Sequence, residues 1–210
     1  MSSCIVALYL SLLSVPAFVW LVTVASPTAA AVLQASGNED PDEAYAGRED
    51  LANARRALDL WSARLTQTPA HFDTTWKVAR ARYWLGNHDT ESTRRAHFEA
   101  GVEAGRQAAA IEKNRPEGHF WQAANMGALA ESFGLRQGLK YRKTIREAAE
   151  RTLAADPAYL GGAADRILGR WYFKVPGLFG GSNYKSVEHL ERALTYKADS
   201  TVTRYFLAET

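Results

Sequence analysis

Residues 168–172 read Leu-Gly-Arg-Trp-Tyr, a bulky residue, then glycine, then tyrosine three places on. On a helix that spacing sets Leu168 and Tyr172 on one face, with a gap at Gly169 that a neighbouring helix can enter. The same phase recurs upstream as Trp76, Ala79, Arg80, Tyr83 and as Trp121, Ala124, Asn125, Ala128. A second helix follows each of these, with small residues on its inner side: Ala104, Ala108, Ile111; then Ile145, Ala149, Leu153; then Leu190, Ala193, Leu194. An earlier second helix carries Ala57, Leu58 and Trp61. Pro69, Pro116 and Pro157 stop the chain after three of them, because proline cannot extend a helix. The pattern W-x2-L-G-x2-Y followed by A, aromatic, A and P is that of a 34-residue tetratricopeptide-like hairpin. One hairpin cannot bury its own apolar face, so neighbours stack. The expected fold is all-α, a tetratricopeptide-like α-solenoid of about four hairpins over residues 51–210. Residues 86–98 hold about a dozen more residues than the repeat needs. A fifth helix begins near Thr201, and TRYFLAET lacks a C-capping signal, so the array is expected to be cut at its C-terminus.

The 210 residues hold 25 Lys+Arg, 23 Asp+Glu and one Cys, and 47% are apolar. Disorder is excluded by that apolar content, and a disulfide framework or cysteine-rich zinc site by the lone Cys4. Residues 1–38 contain no Lys, Arg, Asp or Glu. The apolar run Ile5–Ala25 followed by small residues reads as a secretory signal cleaved after Ala31, or as an uncleaved membrane anchor over residues 1–31. Cys4 precedes the run, where a lipobox would need it behind. Either reading places the body outside the cytoplasmic membrane, in a bacterial periplasm, soluble or anchored. Residues 34–50 carry a net −5, so 32–50 is taken as an acidic linker or helix approach. The whole chain is +2, which leaves residues 51–210 at +7.

The strings RPEGHFWQAAN (115–125), GGAADRILGRWY (161–172), KVPGLFGGS (174–182) and KSVEHLERAL (185–194) are more distinctive than a generic repeat. Together they resemble the T-component (TatT-like) family of TRAP transporters across residues 50–210. That resemblance implies a periplasmic, non-enzymatic accessory that binds the substrate-binding P component of a TRAP uptake system and assembles as a trimer. The alternative is a general interaction scaffold of the cell envelope with another protein partner and no transport role.

Mapping the repeat phase onto the first helices assigns a ligand or partner groove to Lys77, Trp84, His119, Gln122, Met126, Arg166, Arg170, Phe173 and Lys174. Cations among apolar and aromatic groups suit a small acidic or lipophilic ligand, or an acidic protein tail, since Arg binds carboxylate through paired hydrogen bonds. The same cations also suit solvated helix faces. The loop Pro176, Gly177, Leu178, Phe179, Gly180, Gly181, Ser182 has two readings: backbone N–H groups offered to an anion, or an inter-helix turn with Ser182 or Asn183 as cap. Leu178 and Phe179 are then partner contacts. His71, His88, His97, His119 and His189 show no metal-ligand spacing, and His189 is expected on a solvated face beside Glu188 and Glu191. No nucleophile sits in a recognisable setting, so no enzyme activity, metal or cofactor is expected. The clusters Arg94-Arg95 and Arg136…Arg142-Lys143 read as exposed charge rather than as a nucleic-acid surface.

Overall fold

A computed structural model describes residues 39–210, and the apolar leader expected to be a signal or anchor lies outside the described residues. Those described fold as nine α-helices and one short 3₁₀ turn, with no strand among them. The first two, α1 (Pro41–Ala46) and α2 (Leu51–Gln67), are capped by Asp40 and Asp50, whose carboxylates accept from Asp42 N and Ala52 N. Next come α3 (Phe72–His88), α4 (Glu91–Ile111) and α5 (Pro116–Phe133), the last opened by a proline whose missing N–H costs nothing there. They are followed by α6 (Leu135–Ala155), α7 (Ala163–Lys174), α8 (Asn183–Tyr196) and α9 (Thr201–Glu209). Ser182 and Ser200 cap the last two. The turn into α7 runs through Leu160, Gly161 and Gly162, all at positive φ. At Gly162 a Cβ would also lie 2.9 Å from Ala193 Cα, so the turn needs glycine twice over, for conformation and for space.

Each helix packs on the next in the chain, and α3 meets α5, α5 meets α7, and α7 meets α9. That alternation is the α-solenoid: first helices α3, α5, α7 and α9 share one side, and second helices α2, α4, α6 and α8 share the other. The second-helix alanines expected inside are buried: Ala57, Ala104, Ala108, Ala149 and Ala193. They admit large neighbours, and Trp61, Phe98, Leu85, Met126, Leu168 and Leu190 are almost wholly enclosed. Each such side chain stabilises by about 1.5–3 kcal/mol on burial. The extra residues at 86–98 form no inserted loop. They lengthen the hairpin, with α3 running to His88 and α4 starting at Glu91 and extending 21 residues. Phe98 then lies against Gly86, where a Cβ would approach its ring to 2.4 Å.

The acidic stretch is more ordered than a linker. Its Tyr45 is buried in α1 against Trp61, ring centroids 5.4 Å apart. Asp42 pairs with Lys77 at 2.6 Å, and Glu39 with Arg56 at 2.6 Å.

Candidate functional site

The first-helix side of the array gathers arginines and aromatic rings. On α3, Arg80 stands 4.1 Å from the Tyr45 ring, 5.0 Å from Trp76 and 5.5 Å from Trp61. Its nearest carboxylate oxygen, on Asp42, is 3.7 Å away, and its Nε is buried with no hydrogen-bond partner. Burial pulls the guanidinium below its ordinary pKa, with Tyr45 and Asp42 opposing. One turn on, Tyr83 lies 5.7 Å from Trp121 of α5, and Phe120 meets Tyr159 at 5.4 Å. The buried indole N–H of Trp121 lies beside the Tyr159 hydroxyl, close enough to oppose its raised pKa, without the geometry of a good hydrogen bond.

Both phenols resist ionisation. Burial raises Tyr83, with the Glu131 carboxylate adding and Arg166 opposing. Burial likewise raises Tyr159, with Glu117 adding. On α7, half-buried Arg166 donates only to Gly161 O at 3.3 Å and makes no ion pair among the described residues. Its pKa is lowered by burial and supported by Tyr83. Arg170, by contrast, is neutralised. It donates to Glu131 at 2.7 Å and to Glu209, and lies 4.4 Å over the Phe206 ring. Phe173 and Lys174 adjoin each other, the ammonium 4.9 Å from the ring, with Lys174 also lowering the Glu209 pKa after the larger effect of Arg170.

The expected groove residues therefore divide. Arg166, Arg170, Phe173 and Lys174 lie on α7 near that side. Lys77 is occupied by Asp42, and Trp84 donates to Arg48 O at 3.1 Å while stacking on His88 at 3.8 Å. Three residues of α5 face elsewhere. Met126 is enclosed in a core cluster with Ile145 and Ala148 of α6 and Trp171 and Tyr172 of α7, and His119 Nε2 meets Lys113 O at 2.9 Å. His119 and Gln122 line a cavity of ≈ 220 Å³ with Arg106, Thr144 and Arg151 of the second helices. Because Trp121 faces α3, neighbours one or two positions along, at 100° per residue, turn toward α4 and α6 instead. Arg80, Tyr83, Trp121, Glu131 and Tyr159 went unassigned. Arg80 had a signal, since it occupies the slot where the repeat has glycine.

In the loop after α7, the N–H groups of Gly180, Gly181 and Ser182 donate to Gly177 O, Pro176 O and Tyr172 O. They are spent on the turn, and Ser182 caps α8 by accepting from Lys185 N. The anion reading thus has no free donors there. Leu178 stays 90% exposed, while Phe179 lies under Arg142 at 5.2 Å. His189 is not on a solvated face. Its Nδ1 pairs at 2.7 Å with Asp165, a carboxylate with no exposure, and its ring stacks on Tyr172. Among the described residues no three His, Cys, Asp or Glu side chains converge as a metal site, and no helix is long and apolar enough to cross a membrane.

A family model described as regulator of microtubule dynamics protein 1-3 matches residues 39–178, from α1 into the loop after α7. No curated protein matches the chain. The match corrects the resemblance to the TRAP transporter T component, a different family. The P component and the trimer lose their support with it. Placement in a bacterial periplasm is corrected too, since a family described by microtubule dynamics does not indicate an exported bacterial protein.

Proposed function

The chain belongs to the regulator of microtubule dynamics protein 1-3 family, and from that membership we propose that it is a non-enzymatic binding protein whose first-helix side holds an acidic segment of a protein partner in the microtubule system. The observation that carries this is Arg166, a half-buried guanidinium with one backbone acceptor and an aromatic neighbour, Tyr83. A desolvated arginine with unused donors is suited to a carboxylate, which it binds by two parallel N–H···O bonds. Arg80 adds a positive charge on the same side, among three aromatic rings. Tyr83, Trp121 and Tyr159 supply rigid amphipathic surface of the kind that dominates interface energetics.

The test is co-sedimentation of the full chain with polymerised tubulin, wild type against Arg166→Gln and Arg80→Gln. Losing a buried charge-assisted contact costs about 2 kcal/mol or more, so each variant should bind roughly thirtyfold more weakly or worse. Equal co-sedimentation of both variants, with helical circular dichroism intact, would sink the proposal.

A further inference from the structure

Residues 174–187, from the end of α7 into α8, read KVPGLFGGSNYKSV and hold two lysines and no acidic residue. They also carry apolar surface into water: Leu178 is 90% exposed, Tyr184 80% and Phe179 43%. A single exposed leucine is ordinary, whereas large apolar side chains gathered at one turn mark a surface that meets something.

The turn is shaped to leave water. It is a short 3₁₀ turn, Gly177–Phe179, whose backbone donors are paired within the loop. Phe179 N–H donates to Pro176 O at 2.8 Å, Gly180 to Gly177 O at 3.0 Å, Gly181 to Pro176 O at 3.2 Å and Ser182 to Tyr172 O at 2.8 Å. Paired backbone groups cost little to move into an apolar medium, where unpaired ones are expensive. Cations stand behind the tip. The Arg142 guanidinium of α6 lies 5.2 Å from the Phe179 ring, Lys174 closes α7, and the Lys185 ammonium lies 5.4 Å from the Tyr172 ring. None of the three makes an ion pair among the described residues, and the Glu209 carboxylate near Lys174 is held by Arg170.

This layering fits an anionic bilayer. Leucine and phenylalanine enter the acyl boundary, an exposed tyrosine ring sits at head-group level, and the cations meet lipid phosphates. An acidic polypeptide would use the cations and leave Leu178 in water. The sequence also brings a bilayer within reach. In the anchor reading of residues 1–31, the uncharged run Ile5–Ala25 spans the membrane, and residues 26–40 extend at most about 50 Å from it to α1. We propose that the loop after α7 is a membrane-docking tip, with Leu178 and Phe179 entering an anionic bilayer and Arg142, Lys174 and Lys185 meeting its phosphates. It goes beyond the first-helix side and does not depend on Arg166.

The test uses the full chain. Cys4 is its only cysteine, so Cys4→Ser/Leu178→Cys takes one environment-sensitive fluorophore at the tip. The same label is placed through Tyr184→Cys and, as a distant control on α2, through Thr66→Cys, both exposed positions. Emission is read on phosphatidylcholine vesicles with and without phosphatidylserine, with a lipid spin-labelled near the head group as quencher. On the anionic vesicles we expect a blue shift and strong quenching at position 178, less at 184 and none at 66. Lys174 and Lys185 are exposed, so Lys174→Gln/Lys185→Gln should keep its helical circular dichroism. Each basic residue near an anionic surface is worth about fivefold, so the double variant should shift the docked-to-undocked ratio by roughly 25-fold. A label at 178 that stays in water on anionic vesicles overturns the proposal, and the exposed leucine would then await a protein partner. Equal quenching at 178 and 66 overturns it as well. Equal quenching at 178 on neutral and anionic vesicles overturns the assignment to an anionic surface.

Discussion

Two helix pairs share glycine-mediated close approach and differ in the buried charge that one of them carries. Between α4 and α5 the backbones approach through glycine. A Cβ at Gly118 would lie 2.4 Å from Ala109 N, one at Gly105 would lie 2.5 Å from Gln122 N, and one at Gly101 would strike the Asn125 amide. Asn125 in turn donates to Ala79 O of α3 at 3.1 Å, tying the third helix in. Between α7 and α8 glycine also admits the neighbour, at Gly162 and Gly169, but buried polar groups are added to the contact. Ser186 Oγ donates to Gly169 O at 2.8 Å, and the enclosed Asp165 carboxylate is met by His189 at 2.7 Å and by Arg192 Nε at 3.3 Å. The first interface leaves no room for added volume. The second depends on a charge staying paired, because an unpaired buried carboxylate is costly.

The sharpest way to break this contrast is volume at the glycine interface. Gly118→Leu should cost about 4 kcal/mol, since the clash is with the backbone of Ala108 and Ala109, which cannot rotate aside. Urea denaturation measures it, and a neutral result would mean α4 and α5 are not joined by close approach. Next comes charge at the polar interface. Asp165→Ala should cost about 2 kcal/mol in the same assay, the range for hydrogen bonds to a charged group, and Asp165→Asn should recover part of it. A volume-conserving effect larger than that of Gly118→Leu would reverse the ranking.

The smallest effect is a pH dependence that belongs to the α3–α4 side. Burial and Arg82 hold His97 below its ordinary pKa of 6.5, with Asp89 opposing. The unfolded chain therefore takes up a proton first, so stability should decline as pH falls from 6.5 toward the lower folded value. His97→Gln should flatten that decline in denaturation midpoints measured across the window. If the slope persists unchanged, groups outside α3 and α4 carry it.

Much of the array was legible because it rests on local spacing. The alanines of the second helices, the stopping prolines and the Leu168-Gly169-Tyr172 face all report contacts within one hairpin or with its neighbour. On α7 Arg166 and Arg170 lie on the first-helix side, as the repeat phase predicts, whereas the expected residues of α5 do not. There a displacement of one residue turns a side chain by about 100°, enough to move His119 and Gln122 to the second-helix side, while Met126 is enclosed in the core. The misassigned family has a related cause. Gly161 and Gly162 build a left-handed turn, and His189 pairs with Asp165, so strings that looked diagnostic of a partner serve the α7–α8 packing. Motifs that hold a fold together say little about what the fold binds.

By itself the amino-acid order determined the all-helical repeat, its hairpin boundaries and the alternation of bulky and small faces, because these follow from contacts at three and four residues' separation. Only the tertiary structure decided which cations are spent and which remain open. Lys77 and Arg170 are neutralised by Asp42, Glu131 and Glu209, partners 35 to 39 residues away, while half-buried Arg166 has no carboxylate partner among the described residues. Arg142 likewise reaches the loop after α7 only when α6 packs against α7. Electrostatic pairing acts through space, and no local period in the chain encodes it.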